Sequence, residues 1–412
     1  MGFNDTPSGE RIHIGFFGCR NAGKSSLVNA ITGQELSVVS DVPGTTTDPV
    51  KKTMELLPLG PVVLIDTPGF DDIGSLGELR IKKTRQILEQ SDMAVLVMDA
   101  AKGMQPQDQE LLTLIRERDL PYLMVYNKCD LTEADEPKTN LQPNEIYASA
   151  KNALHTQELK ETLARLIKPH APEVFLCGDL FHPGDTVLLV IPIDKAAPKG
   201  RLILPQQMAI RDILDHDGIP VCVKEDRLAE VLSKPGIRPA LVITDSQVFG
   251  LVSKIVPADI PLTSFSILMA RHKGFLEKAV SGAARLRDMH TSHEQAATPS
   301  SYRILIAEGC THHRQCDDIG TVKIPRWLKQ YIRTDISVDT CSGQQFPDDL
   351  SGYDLVIHCG GCMLGEREVQ RRMKCAMAQG IPFTNYGIAI AQFQGILRRS
   401  IAMFPDIANM LE

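Results

Sequence analysis

The sequence predicts an α/β protein built from three successive α/β domains. Two observations carry this prediction. Short apolar runs of strand length alternate with amphipathic helical stretches, and the 412 residues exceed what one hydrophobic core usually organises. Strands that alternate with helices are typical of a largely parallel sheet with helices on both faces. Changes of pattern place the expected domains at residues 1–170, 171–289 and 290–412.

The first domain has the most regular alternation of strands and helices. Pro169 and Pro172 follow its closing helical pattern and mark its end. Its apolar runs predict strands at His13–Gly18, Val62–Asp66, Ala94–Asp99, Leu123–Asn127 and Ile146–Ser149.

The second and third domains continue the same pattern. The second is expected to contain strands Thr186–Ile193, Val221–Lys224, Ala240–Thr244 and Ser264–Leu268, with helices Gln207–His216 and Ser246–Ile255. An exposed connector is predicted over His290–Ser301, which lacks apolar periodicity. The third is expected to contain strands Tyr302–Ala307, Asp335–Asp339, Asp354–Ile357 and Ile381–Asn385, with helices Arg326–Ile332, Glu366–Ala378 and Ala389–Phe404.

Composition and charge favour a cytoplasmic protein over a nucleic-acid or membrane protein. The formal charge of −7 and the pI near 5.9 argue against a surface built to neutralise phosphate backbones. No stretch reaches the roughly 18 apolar residues that a membrane helix needs, and Met1–Arg11 lacks a secretory apolar core. In a reducing compartment the 10 cysteines are expected to be thiols or metal ligands.

Residues 18–25, GCRNAGKS, form a complete phosphate-binding loop of the G-x-x-x-x-G-K-[ST] type. The string lies between an apolar strand and an amphipathic helix that begins near Ser26, which is the context the motif requires. Backbone N–H groups of such a loop wrap the β-phosphate, Lys24 reaches the β- and γ-phosphates, and Ser25 ligates Mg²⁺. The expected binding residues are Gly18, Asn21, Ala22, Gly23, Lys24, Ser25 and Ser26.

Three further strings complete a guanine-nucleotide site. In 66–69 (DTPG), Asp66 is expected to hold Mg²⁺ through water and the Gly69 N–H to touch the γ-phosphate. In 127–130 (NKCD), the Asp130 carboxylate accepts from two guanine donors that adenine lacks, which selects GTP over ATP. In 149–151 (SAK), the Ala150 N–H is expected to meet the guanine oxygen. The expected GTP-binding residues here are Asp66, Gly69, Asn127, Lys128, Asp130, Ser149, Ala150 and Lys151.

In order and spacing these four elements resemble the TrmE–Era branch of the translation-factor-like GTPases, over roughly residues 11–168. The resemblance implies a P-loop, Ras-like GTPase domain whose switch I is 43–48 (PGTTTD). Thr45 and Thr46 would then bind the nucleotide, and Thr46 would sense the γ-phosphate through Mg²⁺.

Hydrolysis is expected to be slow, because Phe70 stands where many GTPases have the glutamine that orients water. In the TrmE-like branch an asparagine at the Asn21 position helps to bind K⁺, which supplies charge in place of an arginine finger. The alternative is that Asn21 only caps its own loop backbone. The expected catalytic residues are Lys24, Asn21, Thr46 and Gly69.

Cysteines and histidines follow two predicted strands of the third domain. Cys310 and His312 come after one strand, and His358, Cys359 and Cys362 come after another. The carboxyl ends of neighbouring parallel strands meet at one edge of a sheet, so these groups can converge there. Three thiolates suit a cubane with one exchangeable iron or, with a histidine, a Cys3His zinc site. Residue types alone leave both possibilities open.

The strings around these cysteines resemble the FeFe-hydrogenase maturation GTPase (HydF) family. The resemblance is carried by C-x-H, H-C-x-x-C, 317–320 (DDIG), 323–327 (KIPRW) and 193–202 (IDKAAPKGRL). It implies a GTPase domain, a dimerisation domain, and a domain that holds a 4Fe-4S cluster by Cys310, Cys359 and Cys362. The implied protein is a homodimeric scaffold and carrier of the di-iron subcluster precursor, built with two radical-SAM maturases and delivered to the hydrogenase.

The ligand at the fourth cluster position varies in this family, so His312, His358 and Asp194 are all candidates. Each of them could instead support a ligand by hydrogen bonding or be a purely structural residue. Two other functions remain as alternatives: a zinc-bearing Era-like GTPase in RNA or ribosome maturation, and a regulatory GTP switch with a structural cysteine site. The sequence contains neither a KH-type G-x-x-G nor an aromatic RNP strand. Packing thiols are expected at Cys19, Cys129, Cys177, Cys222, Cys316, Cys341 and Cys375.

Overall fold

The structure is a computed structural model that describes residues 11–33, 49–57, 59–70, 84–131, 141–167, 175–193, 202–295, 301–309, 318–333, 335–343 and 345–411. They divide into two compact units, one within Met1–Pro172 and one within Glu173–Glu412. Three sheets of mixed α/β architecture lie in these units, which confirms the predicted fold class. The expected domain bounds stay predictions.

The first unit contains a six-stranded sheet of order β2-β3-β1-β4-β5-β6. All neighbouring strands pair in parallel except β2, which runs antiparallel to β3 at the edge. The strands are β1 (Ile12–Phe17), β2 (Val50–Leu56), β3 (Gly60–Asp66), β4 (Met93–Asp99), β5 (Tyr122–Asn127) and β6 (Glu145–Tyr147). The helices are α1 (Lys24–Thr32), α2 (Pro106–Glu117) and α3 (Thr156–Leu166), and residues 84–90 are also helical.

The inner strands β1, β3, β4 and β5 are buried, which explains why they are nearly continuous apolar runs, whereas the edge strand β2 is largely exposed. Phe16 and Phe17 are neighbours in β1, and they enter separate apolar clusters on opposite sides of the sheet. The run of β4 is likewise buried from Met93 to Met98.

The second unit contains two four-stranded sheets, of order β10-β9-β7-β8 and β12-β11-β13-β14, in which all neighbours pair in parallel. One continuous apolar core serves both sheets. The strands are β7 (Thr186–Val190), β8 (Ile219–Val223), β9 (Leu241–Thr244), β10 (Leu262–Ser264), β11 (Tyr302–Glu308), β12 (Ile336–Ser342), β13 (Leu355–His358) and β14 (Phe383–Asn385). The helices are α4 (Leu204–Asp215), α5 (Leu228–Leu232), α6 (Phe249–Ile255), α7 (Phe265–His272), α8 (Leu276–Gln295), α9 (Ile324–Ile332), α10 (Glu366–Ala378), α11 (Tyr386–Phe393), α12 (Leu397–Ser400) and α13 (Pro405–Ala408).

Three sequence predictions in this unit are wrong. The run Ser264–Leu268 is almost entirely helical, because β10 ends at Ser264, whose Oγ caps α7 by accepting from the Ile267 N–H at 3.3 Å. The connector expected from His290 begins later, since α8 runs to Gln295. The helix expected over Ala389–Phe404 is interrupted by Gly395, which has φ +68°.

The strand β8 forms one edge of the first sheet of this unit, and its apolar side chains are poorly covered. Ile219 is 50% exposed, and Cys222 is also exposed. Among the described residues, no helix combines the length and apolar character that a membrane span requires.

Candidate functional site

The phosphate loop requires glycine at two positions. Gly18 has φ +143° and Gly23 has φ +90°, conformations that L side chains rarely adopt. A Cβ at Gly18 would lie 2.1 Å from the Val97 carbonyl oxygen, and one at Gly23 would lie 2.2 Å from Nδ2 of Asn127. The loop therefore follows a path that only glycine permits, packed against β4 and β5.

Lys24 and Ser25 are held in place at the start of α1. Lys24 is 7% exposed, and its Nζ donates to the carbonyl oxygens of Gly18 at 3.0 Å and Cys19 at 2.9 Å. Ser25 Oγ donates to Asp66 Oδ2 at 2.5 Å. Burial raises the pKa of Asp66, although the Ser25 hydrogen bond and the Lys24 charge act to lower it.

The second carboxylate oxygen of Asp66, Oδ1, is buried and has no hydrogen-bond partner among the described residues. Buried acceptors normally have a partner, and a water bound to Mg²⁺ would supply the missing donor. Ser25 and Asp66, adjacent to each other at the ends of α1 and β3, therefore fit the predicted magnesium site.

Asn127 joins the phosphate loop to the predicted base pocket. Its Nδ2 donates to the Ala22 carbonyl at 2.9 Å, and its Oδ1 accepts from the Ala150 N–H at 3.1 Å. Asp130 lies in the turn that follows, and its Oδ1 is buried without a hydrogen-bond partner. This orphaned oxygen fits an acceptor for the donors of guanine.

Asp99, the last residue of β4, belongs to this site although no motif indicated it. Its Oδ2 accepts from Lys128 Nζ at 2.8 Å. Burial acts to raise the pKa of Asp99, but the hydrogen bond and charge of Lys128 outweigh burial and hold that pKa below its ordinary value. The sequence signal that could have identified Asp99 is its position at the carboxyl end of β4, the strand next to β5.

The remaining nucleotide residues vary in exposure. Ser149 is buried, and its Oγ accepts from the Asn152 N–H at 3.3 Å, whereas Lys151 is exposed. Ser26 is half-buried in α1. A Cβ on Gly69 would lie 2.9 Å from Cα of Arg20, so the two strings touch.

Asn21 is exposed at the tip of the phosphate loop, with φ +60°. With Arg20 and Asp99 it lines a cavity of about 210 Å³. Phe70 is only 6% exposed and packs in the apolar core, so it offers no group to orient water. Thr45 and Thr46 lie outside the described residues, and the roles of Asn21 and both threonines stay predictions.

Cys359 and Cys362 lie in one loop, which we call the cysteine loop (359–365), directly after β13. Cys359 Sγ accepts from the N–H of Gly309 at 3.0 Å and of Gly361 at 3.3 Å. Gly309 is the last described residue before Cys310. Burial first, and the neighbouring Cys362 second, raise the pKa of Cys359 to about 11. Backbone N–H donors on sulfur are typical supports of metal-bound thiolates, so this donor set fits a thiolate-ligated centre.

His358 is buried between the cysteine loop and a charged pair. Its Nδ1 lies 2.7 Å from the Cys359 carbonyl oxygen and therefore donates, and its Nε2 accepts from Arg372 Nη1 at 3.2 Å. Arg372 is 0% exposed, and its Nε donates to Glu368 Oε1 at 2.7 Å. Burial first, and the Arg372 charge second, lower the pKa of His358 to about 3. These contacts favour the supporting role for His358, and its role as a ligand stays a prediction.

Lys273 is a residue of this site that sequence analysis missed. It caps the carboxyl end of α7 and is 4% exposed, and its Nζ donates to two carbonyl oxygens of the cysteine loop, at Gly361 and Leu364. Burial raises the pKa of Cys362, and the Lys273 charge acts to lower it. No spacing rule connects a lysine to a loop this remote in sequence.

The full set of proposed cluster ligands falls partly outside the described residues, which include neither Cys310, His312 nor Asp194. Within the described ranges, no three His, Cys, Asp or Glu side chains gather into a group that could hold a metal ion. The cluster ligand set therefore stays a prediction.

The described cysteines form no disulfide. Cys177 and Cys341 are buried, as expected for packing thiols, and Cys19, Cys129 and Cys375 are half-buried. The packing prediction is wrong for Cys222, which is exposed because it lies on the edge strand β8. Cys316 lies outside the described residues.

Three family models match the chain. The model described as the Hydrogen maturase F tetramerization domain matches residues 290–403, and that of the Hydrogen maturase F dimerization domain matches 176–274. The model of the 50S ribosome-binding GTPase matches residues 13–128. The residues matched by the first two models both lie in the unit that carries the cysteine loop.

Curated relatives match the nucleotide-binding part. The tRNA modification GTPase MnmE of Nitrosomonas europaea is 37% identical over 159 residues, which is 38% of this chain and 35% of that one. GTPase Der of Clostridium botulinum is 35% identical over 137 residues, which is 32% of this chain and 31% of that one. The chain thus spans about a third of the length of the curated relatives it matches.

Solved structures with detectable likeness are also GTP-binding proteins. A probable GTP-binding protein engB is 24% identical, with 38% of this chain and 98% of that chain covered and a TM-score of 0.31. Era from Aquifex aeolicus is 20% identical, with 52% and 92% covered and a TM-score of 0.34. Superpositions this partial carry no argument about function.

Proposed function

From the premise that this chain belongs to the hydrogen maturase F family, we propose that it is a GTP-hydrolysing scaffold of FeFe-hydrogenase maturation. In this role the chain carries a 4Fe-4S cluster on Cys310, Cys359 and Cys362. It assembles the di-iron subcluster precursor with two radical-SAM maturases and delivers it to the hydrogenase. The observation that carries the proposal is the cysteine loop, where Cys359 Sγ receives two backbone N–H donors at the edge of a parallel sheet.

The nucleotide half of the proposal is supported by two unpartnered carboxylate oxygens. Asp66 Oδ1, in the carboxylate that accepts from Ser25, would accept from a magnesium-bound water, and Asp130 Oδ1, three residues after Asn127, would accept from the donors of guanine. Lys24 would exchange its two carbonyl acceptors for phosphate oxygens. The relatives that match this region are named GTPases, which agrees with this substrate.

Hydrolysis in this scheme is slow and stimulated by K⁺. Phe70 is packed in the core and cannot orient water, so the transition-state charge has to be met by another group. Asn21, exposed in the phosphate loop, is the residue to which we assign K⁺ binding.

The proposed assembly is a homodimer that works in the cytoplasm. Among the described residues, β8 pairs with a strand on one side only and leaves Ile219 half exposed, which suits pairing with a second copy. It lies within residues 176–274, which match the dimerization model. Cys177, Cys222 and Cys341 are thiols, which agrees with a reducing compartment.

The test is anaerobic purification followed by analysis of iron, acid-labile sulfide and zinc. We expect iron and sulfide together, in a brown, oxygen-sensitive protein. The same preparation, loaded by the two maturases, is then expected to activate a hydrogenase that lacks its di-iron subcluster. Stoichiometric zinc without sulfide would refute the cluster and favour the zinc-bearing alternatives.

A further inference from the structure

Lys273 connects the two sheets of the second unit at the cysteine loop. The residue directly follows α7, which continues from strand β10 of the first of these sheets. Its Nζ donates to the Gly361 carbonyl at 2.6 Å and to the Leu364 carbonyl. Both acceptors belong to the loop that follows β13 of the other sheet and carries Cys359 and Cys362.

The backbone of Lys273 is also held by hydrogen bonds, one of them from the helix that follows the cysteine loop. Its carbonyl oxygen accepts from Gln370 Nε2 at 2.5 Å, and Gln370 lies on α10, the helix that begins directly after the cysteine loop. The Lys273 N–H donates to the Met269 carbonyl at 3.0 Å and so ends α7. The lysine is therefore anchored at its backbone and at its ammonium group.

The amino end of α7 is tied to the same sheet edge. Ser266 accepts from Asn385 Nδ2 through its carbonyl oxygen at 2.9 Å, and its Oγ accepts from the Gly387 N–H at 3.2 Å. A Cβ on Gly360 would lie 3.7 Å from Ser266 Oγ. The helix thus lies along the cysteine loop, with Ser266 near one end of the contact and Lys273 at the other.

Burial of the ammonium group indicates an electrostatic role. Lys273 is 4% exposed, so water screens the effect of its charge on the cysteine loop only weakly. Thiolates bound to a metal would bring negative charge to the same loop whose carbonyl oxygens accept from Lys273 Nζ. Positive charge and hydrogen bonding near a cluster are known means of raising its reduction potential.

Resting on the proposed cluster, we infer that Lys273 is a positioning residue of the cysteine site. Its ammonium group holds the loop that carries Cys359 and Cys362, and its charge raises the reduction potential of the cluster bound there. Because Lys273 lies within residues 176–274, the part that matches the dimerization model contributes directly to the cluster environment.

The test uses the full chain, purified anaerobically, with Lys273→Met and Lys273→Arg. The matched control is Lys278→Met, since Lys278 lies five positions further on α8 and is exposed in a pair with Glu277. Iron and sulfide per chain are measured first, and the midpoint potential then comes from a redox titration followed by electron paramagnetic resonance. Far-ultraviolet circular dichroism checks that every variant is folded.

We expect Lys273→Met to lower the midpoint potential, Lys273→Arg to keep it near the native value, and the control to leave it unchanged. If the Met variant loses iron, Lys273→Gln restores one donor without the charge, and we expect it to recover iron while its potential stays low. Loss of iron in both neutral variants, with retention in the Arg variant, also supports the inference.

Two results would overturn the inference. One is equal iron and equal potential in the native protein and Lys273→Met. The other is loss of the cluster in Lys273→Arg together with both neutral variants while all remain folded, because charge would then not be what the site requires. Failure of the proposed function can be distinguished from failure of this inference, because in that case the native protein itself would contain no iron and sulfide.

Discussion

The nucleotide site and the cysteine site are built on the same kind of sheet edge but assembled differently. In the first unit, each string of the nucleotide site follows its own strand, and backbone groups and short bridges such as Asn127 join the strings. In the second unit, the cysteine loop depends on side chains from elements remote in sequence. Lys273 donates to carbonyl oxygens of the loop, and Arg372 donates to His358, which precedes the loop.

This difference separates motif residues from the residues that support them. A nucleotide loop made of backbone N–H groups carries most of its chemistry in its own glycines and caps. A buried thiolate centre needs compensating charge and hydrogen bonds from other elements. The two sites should therefore respond independently to mutation, and the cysteine site should be sensitive to changes far from its ligands.

The largest expected effect is loss of iron on replacing a ligand of the cysteine loop. Cys359→Ser and Cys362→Ser are each expected to lose most of the iron, because a serine oxygen is a poor ligand for an iron–sulfur cluster. GTP hydrolysis is expected to remain, since the nucleotide strings lie in the other unit. Iron content and the rate of GTP turnover are measured on the same samples.

The matched control for this experiment is Cys375→Ser, a half-buried thiol on α10 outside the cysteine loop. It should keep both iron and turnover. Full iron in the Cys359 and Cys362 variants would contradict the assignment of the loop, and coupled loss of turnover would contradict the independence of the two sites.

The next largest effect concerns Arg372, which supports the cysteine loop through His358. Arg372→Met is expected to lower the free energy of unfolding of the second unit by roughly 3 kcal/mol, because it leaves buried Glu368 without one of its two arginines. Trp327, the only tryptophan, packs against the core of this unit, so its fluorescence during urea unfolding measures the change.

Arg371→Met is the natural comparison, since Arg371 also pairs with Glu368 but is 24% exposed at its side chain. A smaller loss is expected there because water can replace part of the contact. Equal losses in the two variants would mean that burial of Arg372 is not what makes it important.

Much of the nucleotide site could be predicted from sequence. The expected strand Val62–Asp66 overlaps β3 and ends at the same residue, and Leu123–Asn127 does the same with β5. Buried parallel strands form continuous apolar runs, and the functional residues come directly after them in sequence. Each strand therefore helps to locate its motif, and each motif helps to locate the end of its strand. Asp99 was not predicted as a site residue, because a single carboxylate at the end of a strand is not a motif.

The support of the cysteine site could not be predicted in this way. The run Ser264–Leu268 was interpreted as a strand, because a helix buried on every side is as apolar as a buried strand. That error hid the fact that α7 carries Lys273 toward the loop. Tertiary contacts between residues 88 positions apart, such as Lys273 and Gly361, leave no periodic signal in the sequence.

A third prediction tests base selection at the nucleotide site. Asp130→Asn is expected to weaken GTP binding about 100-fold, since two hydrogen bonds to a charged acceptor contribute about 1.5 kcal/mol each. Iron content should not change. Asp119→Asn, an exposed carboxylate with φ +49° that asparagine tolerates, is the control. Unchanged GTP affinity in the Asp130 variant, measured by titration calorimetry, would remove Asp130 from the base pocket.

A fourth prediction concerns the monovalent cation. Turnover in potassium buffer is expected to exceed turnover in matched sodium buffer by about tenfold, or about 1.4 kcal/mol of transition-state stabilisation. Asn21→Ala should abolish the difference while the iron remains, and Asn152→Ala provides a control asparagine from the base-pocket side. Equal native rates in the two buffers would eliminate the potassium role of Asn21.

The smallest expected effect tests how far the support of the cysteine site extends. Arg271, two residues before Lys273 on α7, forms a bidentate pair with Asp179, with Nη1 at 2.7 Å from Oδ1. The Arg271 hydrogen bond lowers the pKa of Asp179 in the folded protein, against the effect of burial. A lowered folded pKa means that the pair stabilises the fold above the unfolded pKa of about 3.9, and that this stability disappears as pH falls through the folded pKa.

Asp179→Asn should therefore unfold more easily than the native chain at pH 7, by well under about 1 kcal/mol because the pair is partly exposed. The difference should shrink as the pH falls below about 4, where the carboxylate protonates in the unfolded chain, and it should vanish below the lower pKa of the folded carboxylate. Trp327 fluorescence during urea unfolding at both pH values measures it, and Asp226→Asn, from an exposed pair with Lys224, is the control. Iron content at pH 7 decides the wider question: if it falls with Asp179→Asn, the cysteine site depends on how α7 is anchored, whereas unchanged iron limits its support to Lys273 and Arg372.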